Sequence, residues 1–189
     1  FGDMNALIDL VSKKAEDAPI ACYAMFNNPP FTIAVRADGP IRTPKDLEGK
    51  TIGGPANDAA LKLFPAFAKL AGIDASKVTI TNMAPNLRET MLQRGQVDGV
   101  FGFVNTISFS ARLAGIDPDK DFRFINYVDY KMDLYSNTLV VSQKLAKDNP
   151  KAASGIVRAF NRGLAETLKD FDKAIEAVAR REPLIKKDI

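Results

Sequence analysis

The chain contains no histidine. That removes Ser-His-Asp and Cys-His catalysis, histidine-ligated zinc and the imidazole proton shuttle from the chemistry these residues can perform. Cys22 is the only cysteine, so neither an internal disulfide nor a thiolate metal cluster can be built from this sequence. It lies in the apolar run Ile20-Ala21-Cys22-Tyr23-Ala24-Met25-Phe26 and reads as a buried, inert thiol. No apolar run approaches the roughly 20 residues needed to span a bilayer. The opening Phe1-Gly2-Asp3 carries no basic start and no apolar leader, and with the ending Lys186-Lys187-Asp188-Ile189 the chain reads as a mature or trimmed piece. Nucleotide motifs are missing as well. Gly53-Gly54-Pro55-Ala56-Asn57-Asp58 has neither the Gly-Lys-Ser/Thr of a phosphate loop nor the G-x-G-x-x-G spacing of a dinucleotide site. Asp117, Asp119 and Asp121 alternate as in a calcium loop, but no glycine or distal glutamate completes it, and a capped turn is expected there.

What is present is an ordinary globular balance, 46% hydrophobic and 26% charged over 189 residues, enough for one large domain or two small lobes. The net charge of +3 is unevenly placed: residues 144–189 hold 11 Lys/Arg against 7 Asp/Glu, the remainder 15 against 16. Acids and bases alternate in that C-terminal part as on a solvated helix face, so no nucleic-acid partner is expected.

The chain is organised around Lys50-Thr51-Ile52-Gly53-Gly54-Pro55-Ala56-Asn57-Asp58, a short strand ending in a Gly-Gly-Pro turn, followed by N-cap residues and a helical pattern from about Asp58 to Ala71. Such a turn presents free backbone N–H groups at a helix start and can hold an anionic or polar ligand group. The same residue types also punctuate ordinary strand-to-helix connections. Pro65 falls inside the helix, where it removes a hydrogen bond.

Upstream, Asp3 caps a helix over 4–16, strands run over 20–26 and 31–36, and Thr43-Pro44-Lys45-Asp46-Leu47-Glu48-Gly49 is one capped helical turn. Downstream, strands at 78–81, 97–103 and 123–127 alternate with helices near 87–94 and 106–113. Leu-Ala-Gly-Ile-Asp occurs at 70–74 and again at 113–117, each time with glycine stopping a helix. A strand at 137–142 and a helical region from Asn149-Pro150 to about Arg181 follow, the latter with Ile156, Phe160, Leu164 and Leu168 on one face. Alternating strands and helices imply crossover units and mostly parallel sheets. The expected class is therefore α/β with two lobes, one over 43–129 and one from 1–42 with 130–189, the chain crossing between them twice.

Nothing forms a convincing catalytic set, and Asp129 and Asp133 read as a solvated loop. The chemistry on offer is recognition, with no cofactor and no metal. Asn105 follows a strand and precedes a helix, as Asn57 does, and Asn28 also sits at a strand end; ligands of parallel sheets bind outside such ends. Each asparagine fits equally well as a cap or turn residue.

Thr43-Pro44-Lys45-Asp46-Leu47-Glu48-Gly49-Lys50-Thr51-Ile52-Gly53 resembles the T-P-x-D-L-x-G-K-x-I-G segment of periplasmic binding proteins of type II architecture. Gly54-Pro55-Ala56-Asn57-Asp58-Ala59 and Gly95-Gln96-Val97-Asp98-Gly99-Val100 resemble the NMT1/THI5-like branch, which serves nitrate, sulfonates, taurine and thiamine precursors. The resemblance implies a two-lobe clamp that binds a small solute between its lobes and delivers it to the permease of an ABC importer, in the periplasm or lipid-anchored outside the membrane, without catalysis. By position, Gly54, Pro55, Ala56, Asn57, Asp58, Ala59, Asn105 and Phe103 would face the solute from one lobe and Tyr135 from the crossing, with Asp3 and Asn28 facing it from the other lobe. Family members begin with a strand, helix and strand before the position of Phe1 and continue past Ile189, which makes the first lobe incomplete here. The pyrimidine synthases of the same fold use an active-site histidine and a cysteine-rich motif, neither of which this chain has. The effector domain of a LysR-type transcription regulator shares the fold and is the alternative reading.

Overall fold

The structure, a computed structural model, describes residues 1–182. In chain order its elements are β1 (Gly2–Asp3), α1 (Met4–Ser12), β2 (Ile20–Ala24), β3 (Phe31–Arg36), β4 (Thr51–Gly54), α2 (Ala59–Ala71), β5 (Thr79–Asn82), α3 (Arg88–Gln93), β6 (Gly99–Phe103), α4 (Val104–Leu113), α5 (Pro118–Asp121), β7 (Phe122–Asn126), β8 (Asn137–Val141), α6 (Gln143–Asp148), α7 (Pro150–Lys169) and α8 (Phe171–Arg181). Short 3-10 turns lie at Pro44–Leu47, Ala75–Lys77, Pro85–Leu87 and Tyr127–Tyr130. Among the described residues no helix is long and apolar enough to cross a membrane.

The chain divides into two units, Phe26–Ser136 and the segment Phe1–Met25 with the chain from Asn137. The unit 26–136 thus begins earlier and ends later than the expected 43–129. The reason is β3. Its residues Phe31, Thr32, Ile33, Ala34 and Val35 are all buried, so the strand has no solvent face. It is held as an inner strand between β6 and β7.

In the unit 26–136 the five-stranded sheet has the order β5-β4-β6-β3-β7. The pairs β4–β5 and β4–β6 are parallel, whereas β3 is antiparallel to both β6 and β7. Four strands therefore run one way and β3 the other, the mostly parallel direction expected from the alternating pattern. Side chains alternate between two cores, as strand geometry requires. Phe31, Ile33, Val35, Ile52 and Phe101 meet Phe64, Phe67 and Ala68 of α2 on one face. Ala34 and Val100 meet Leu92 of α3 and Ile107 and Ala111 of α4 on the other. Pro65 is exposed between the buried Phe64 and Phe67, so the proline sits on the outer face of α2. The repeated Leu-Ala-Gly-Ile-Asp works as expected: Gly72 and Gly115 have φ of 71° and 75°, a left-handed turn that only glycine enters without strain. The aspartates 117, 119 and 121 form a capped turn: Asp117 accepts from the amide of Asp119 at 3.1 Å and Asp121 from that of Asp117 at 3.1 Å.

The other unit holds a three-stranded sheet of order β1-β8-β2, and both of its pairings are antiparallel. Cys22 is half-buried there, its Sγ 3.3 Å from the carbonyl of Leu139. The C-terminal helical region is two helices, because Asp170 leaves helical geometry and caps α8 by accepting from the amide of Lys173 at 3.0 Å. The apolar face expected on α7 is formed but not covered: Ile156, Leu164 and Leu168 are exposed, and Phe160 packs on Tyr23 with ring centroids 5.4 Å apart. Neither α7 nor α8 has a buried residue.

Candidate ligand-binding site

Strand direction collects the candidate residues of the unit 26–136 at one edge of its sheet. The carboxyl ends of β4, β5 and β6 lie together because these strands are parallel, with Gly54 opposite Asn82. The start of β3 lies at the same edge, Phe31 opposite Phe103 and Thr32 opposite Asn126. Sheet order reverses between β4 and β6: from β4 the chain crosses outward through α2 to β5, and β6 lies on the other side. A change of direction of this kind opens a crevice at the carboxyl ends of the strands.

The Gly54–Ala59 turn stands at that point. Asp58 N–H donates to the Pro55 carbonyl at 2.9 Å, closing a β-turn over Ala56 and Asn57, both exposed. Asp58 caps α2 with Oδ1, which accepts from Ala60 N–H at 2.8 Å and Leu61 N–H at 3.2 Å. The amides of Ala56, Asn57 and Ala59 find no acceptor among the described residues. One strand over, β6 runs directly into α4, whose N-cap Phe103 has no side chain able to cap it. Val104 N–H donates to the Pro30 carbonyl at 2.9 Å, whereas the amides of Asn105 and Thr106 find no acceptor among the described residues. Two helix N-termini with free donors, on adjacent parallel strands, make an edge suited to an anion or to a strongly polar group.

Asn57 and Asn105 are exposed beside the two helix starts. Asn28 is exposed too, and the bond between Val104 and Pro30 ties its loop to the start of α4. Asn28 thus belongs to the same unit as Asn105, where the sequence put the two in opposite lobes; the central position of β3 is the cause. Phe103 is half-buried, edge-on to Phe31 at 5.3 Å. Tyr135 is 55% exposed on the segment that follows β7. Asp3 lies in the other unit, where it caps α1 by accepting from Asn5 N–H at 2.9 Å.

Behind the turn lies a polar cluster that the sequence did not announce. The Arg88 guanidinium is buried 3.4 Å from Asp58 Oδ2 and donates to the carbonyls of Phe101 and Pro85 at 3.2 Å each. A Cβ at Gly102 would stand 2.6 Å from Arg88 Nη1, so the strand must be bare there for the guanidinium to pass. That glycine inside a strand is the one trace of the arginine legible in the sequence. Gly54 and Gly53 likewise give room to Phe101 and Met83. Glu89 is buried with Oε1 unbonded, 3.8 Å from Arg88 Nε, and burial holds its carboxyl above the usual range. Tyr127 donates to the Ala60 carbonyl at 2.8 Å and stacks on Phe67 at 4.0 Å. Burial, reinforced by the Asp58 charge, pushes its phenol well above the ordinary value. Close under the edge, Thr32 Oγ1 and Asn126 Oδ1, on register-paired residues of β3 and β7, are buried without hydrogen-bond partners. No group of His, Cys, Asp and Glu able to hold a metal is found among the described residues.

The model of the NMT1/THI5 like family matches residues 4–174. A 4-amino-5-hydroxymethyl-2-methylpyrimidine phosphate synthase from Legionella pneumophila is 24% identical over 189 residues, covering 98% of this chain and 58% of the relative. The riboflavin-binding protein RibY from Chloroflexus aurantiacus is 24% identical over 148 residues, 78% of this chain and 40% of the relative. Among solved structures, the periplasmic aliphatic sulphonate binding protein SsuA from Escherichia coli superposes with a TM-score of 0.75 at 19% identity, over 97% of this chain and 57% of that one. The chain therefore spans between 40% and 58% of the length of these three proteins. The fold is that of type II periplasmic binding proteins, present here in part.

Proposed function

This chain belongs to the NMT1/THI5-like family, and we propose that it is the solute-binding component of an ABC importer, taking up a small organic or anionic solute. The observation that carries the proposal is the pair of open helix starts at the switch point, with free amides at Ala56, Asn57, Ala59, Asn105 and Thr106. These donors take a sulfonate, carboxylate, phosphate or ring carbonyl by the same hydrogen bonds. Asn28, Asn57 and Asn105 add side-chain amides around the group, and Phe103 supplies an apolar wall. The work is recognition, and the solute leaves unchanged, passed to a membrane permease from outside the cytoplasm.

Calorimetric titration with ethanesulfonate, taurine, nitrate and an aminopyrimidine tests the reading. At least one should bind, and Asn57→Ala and Asn105→Ala should each weaken it by about 0.5–1.5 kcal/mol, the worth of one neutral hydrogen bond. Binding that neither substitution alters would remove the solute from this edge.

The synthase relative favours a second reading, a pyrimidine-forming enzyme on the same scaffold. The absence of histidine from these 189 residues weighs against it, because the synthases of this fold rely on one. Formation of a phosphorylated pyrimidine by the purified protein would establish the enzyme reading instead. These likenesses are to solute-binding proteins and a synthase, and they lend the regulator reading no support.

A further inference from the structure

At the opposite end of the five-stranded sheet, where β3 finishes and β7 begins, two guanidinium groups close on one oxygen. Arg42 Nη1 donates to the Ala37 carbonyl at 3.1 Å, and Arg123 Nη2 donates to the same carbonyl at 3.4 Å. Arg123 also donates from Nη1 to the Ile41 carbonyl at 3.0 Å, so it straps the loop 37–41 to the start of β7. Arg42 differs from it. Arg42 is exposed, and the bond to Ala37 is the only one its guanidinium makes among the described residues. Its Nε and second amine are left as a free two-donor edge, the form that matches a carboxylate.

Neither arginine has an ion-pair partner among the described residues, and the acids nearby are engaged. Asp46 Oδ2 accepts from the amides of Arg42 and Thr43 at 2.9 and 2.8 Å and from the Thr43 hydroxyl at 3.0 Å. These bonds hold its carboxyl below the usual range. Asp121 accepts from the amide of Asp117, and Asp38 lies 3.4 Å from Arg36 Nε. Two like charges held against one carbonyl repel each other, and a negative group placed across them relieves that repulsion. The backbone offers a free ion little, because the amides of Ala37, Gly39, Arg42 and Thr43 are already bonded. Apart from the amides of Asp38 and Ile41, the donors left are side chains, on an open surface. That suits an acid carried by another chain better than an ion that must be enclosed.

We propose that Arg42 and Arg123 form a docking contact for a carboxylate-bearing segment of a partner protein. The contact lies at the far end of the sheet from the candidate solute edge and is independent of it. Its affinity is modest and its role is steering and registration, as for other exposed charge pairs.

The test is a titration of hexaglutamate into isotope-labelled protein, followed by amide chemical shifts. Shifts should concentrate at residues 36–43 and 122–124. Arg42→Gln, with an unchanged melting curve, should weaken binding about fivefold. Raising the salt until the Debye length falls from about 30 Å to about 10 Å should weaken it further. Shifts centred instead on the basic helices α7 and α8, or an Arg42→Gln protein that binds as well as the parent, would overturn the proposal. Sulfate is the control. If it produces the same shifts at the same charge concentration, the site is one for free ions and the partner-segment assignment fails.

Discussion

Replacing Ala59 by proline deletes one hydrogen-bond donor from the candidate solute edge while leaving the backbone where it is. Ala59 is the first residue of α2, the position at which proline is best tolerated, since its amide has no helical acceptor and its fixed φ suits a helix start. The residue before a proline must be extended, and Asp58 already is, with φ −64° and ψ 134°. The cap survives too, because Asp58 bonds the amides of Ala60 and Leu61, not that of Ala59. Stability should therefore hold or rise, by up to about 1 kcal/mol from the stiffer unfolded chain. Affinity should move the other way. A hydrogen bond to a charged group is worth about 1.5–3 kcal/mol, which for an anionic solute is roughly a ten- to hundredfold weaker dissociation constant. Ala59→Gly is the matching control: it retains the N–H and should keep affinity while lowering stability. Calorimetric titration of the three proteins with whichever solute binds the parent, alongside urea unfolding, reads both quantities. A proline variant that folds normally and binds that solute as tightly as the parent would refute the claim that the α2 amides hold it.

Other substitutions probe the frame behind the edge. Arg88→Met leaves Asp58 without its buried counter-charge and should cost about 3–5 kcal/mol in urea unfolding, followed by circular dichroism because the chain has no tryptophan. Tyr127→Phe keeps the stack on Phe67 and loses one bond to the Ala60 carbonyl, so about 0.5–1.5 kcal/mol should be lost in the same assay. Glu89→Gln should show its effect through pH. Because burial raises the folded-state pKa of Glu89, its favourable protonated form is fully present below the unfolded value of about 4.3 and lost as pH rises through the folded one. The glutamine variant should therefore be the more stable protein at neutral pH, with the difference shrinking toward pH 4; a gap that widens on acidification would contradict this.

The parts legible in the sequence are those whose cause is local. The Thr43–Asp46 turn, the glycines that stop α2 and α4, the Ser142 and Asn149 caps and the strand-turn-helix around Gly54 each depend on residues within a few positions of one another. The rest depends on partners distant in the chain. Nothing in Phe31–Arg36 says that it runs against β6 and β7, and the apolar stripe of α7 does not say what covers it. The pairing of Asp58 with Arg88 joins residues 30 apart, and it changes how the opening motif works. Read alone, Asp58 is an acid beside a turn meant for an anion, which is a poor arrangement. With Arg88 buried against one oxygen and two helix amides on the other, its charge is answered from behind. The amides in front are then free to act on a solute without a bare carboxylate opposing them. On the proposed reading, the fitness of this edge for an anion rests on an arginine buried beneath it, held in a gap that Gly102 leaves open.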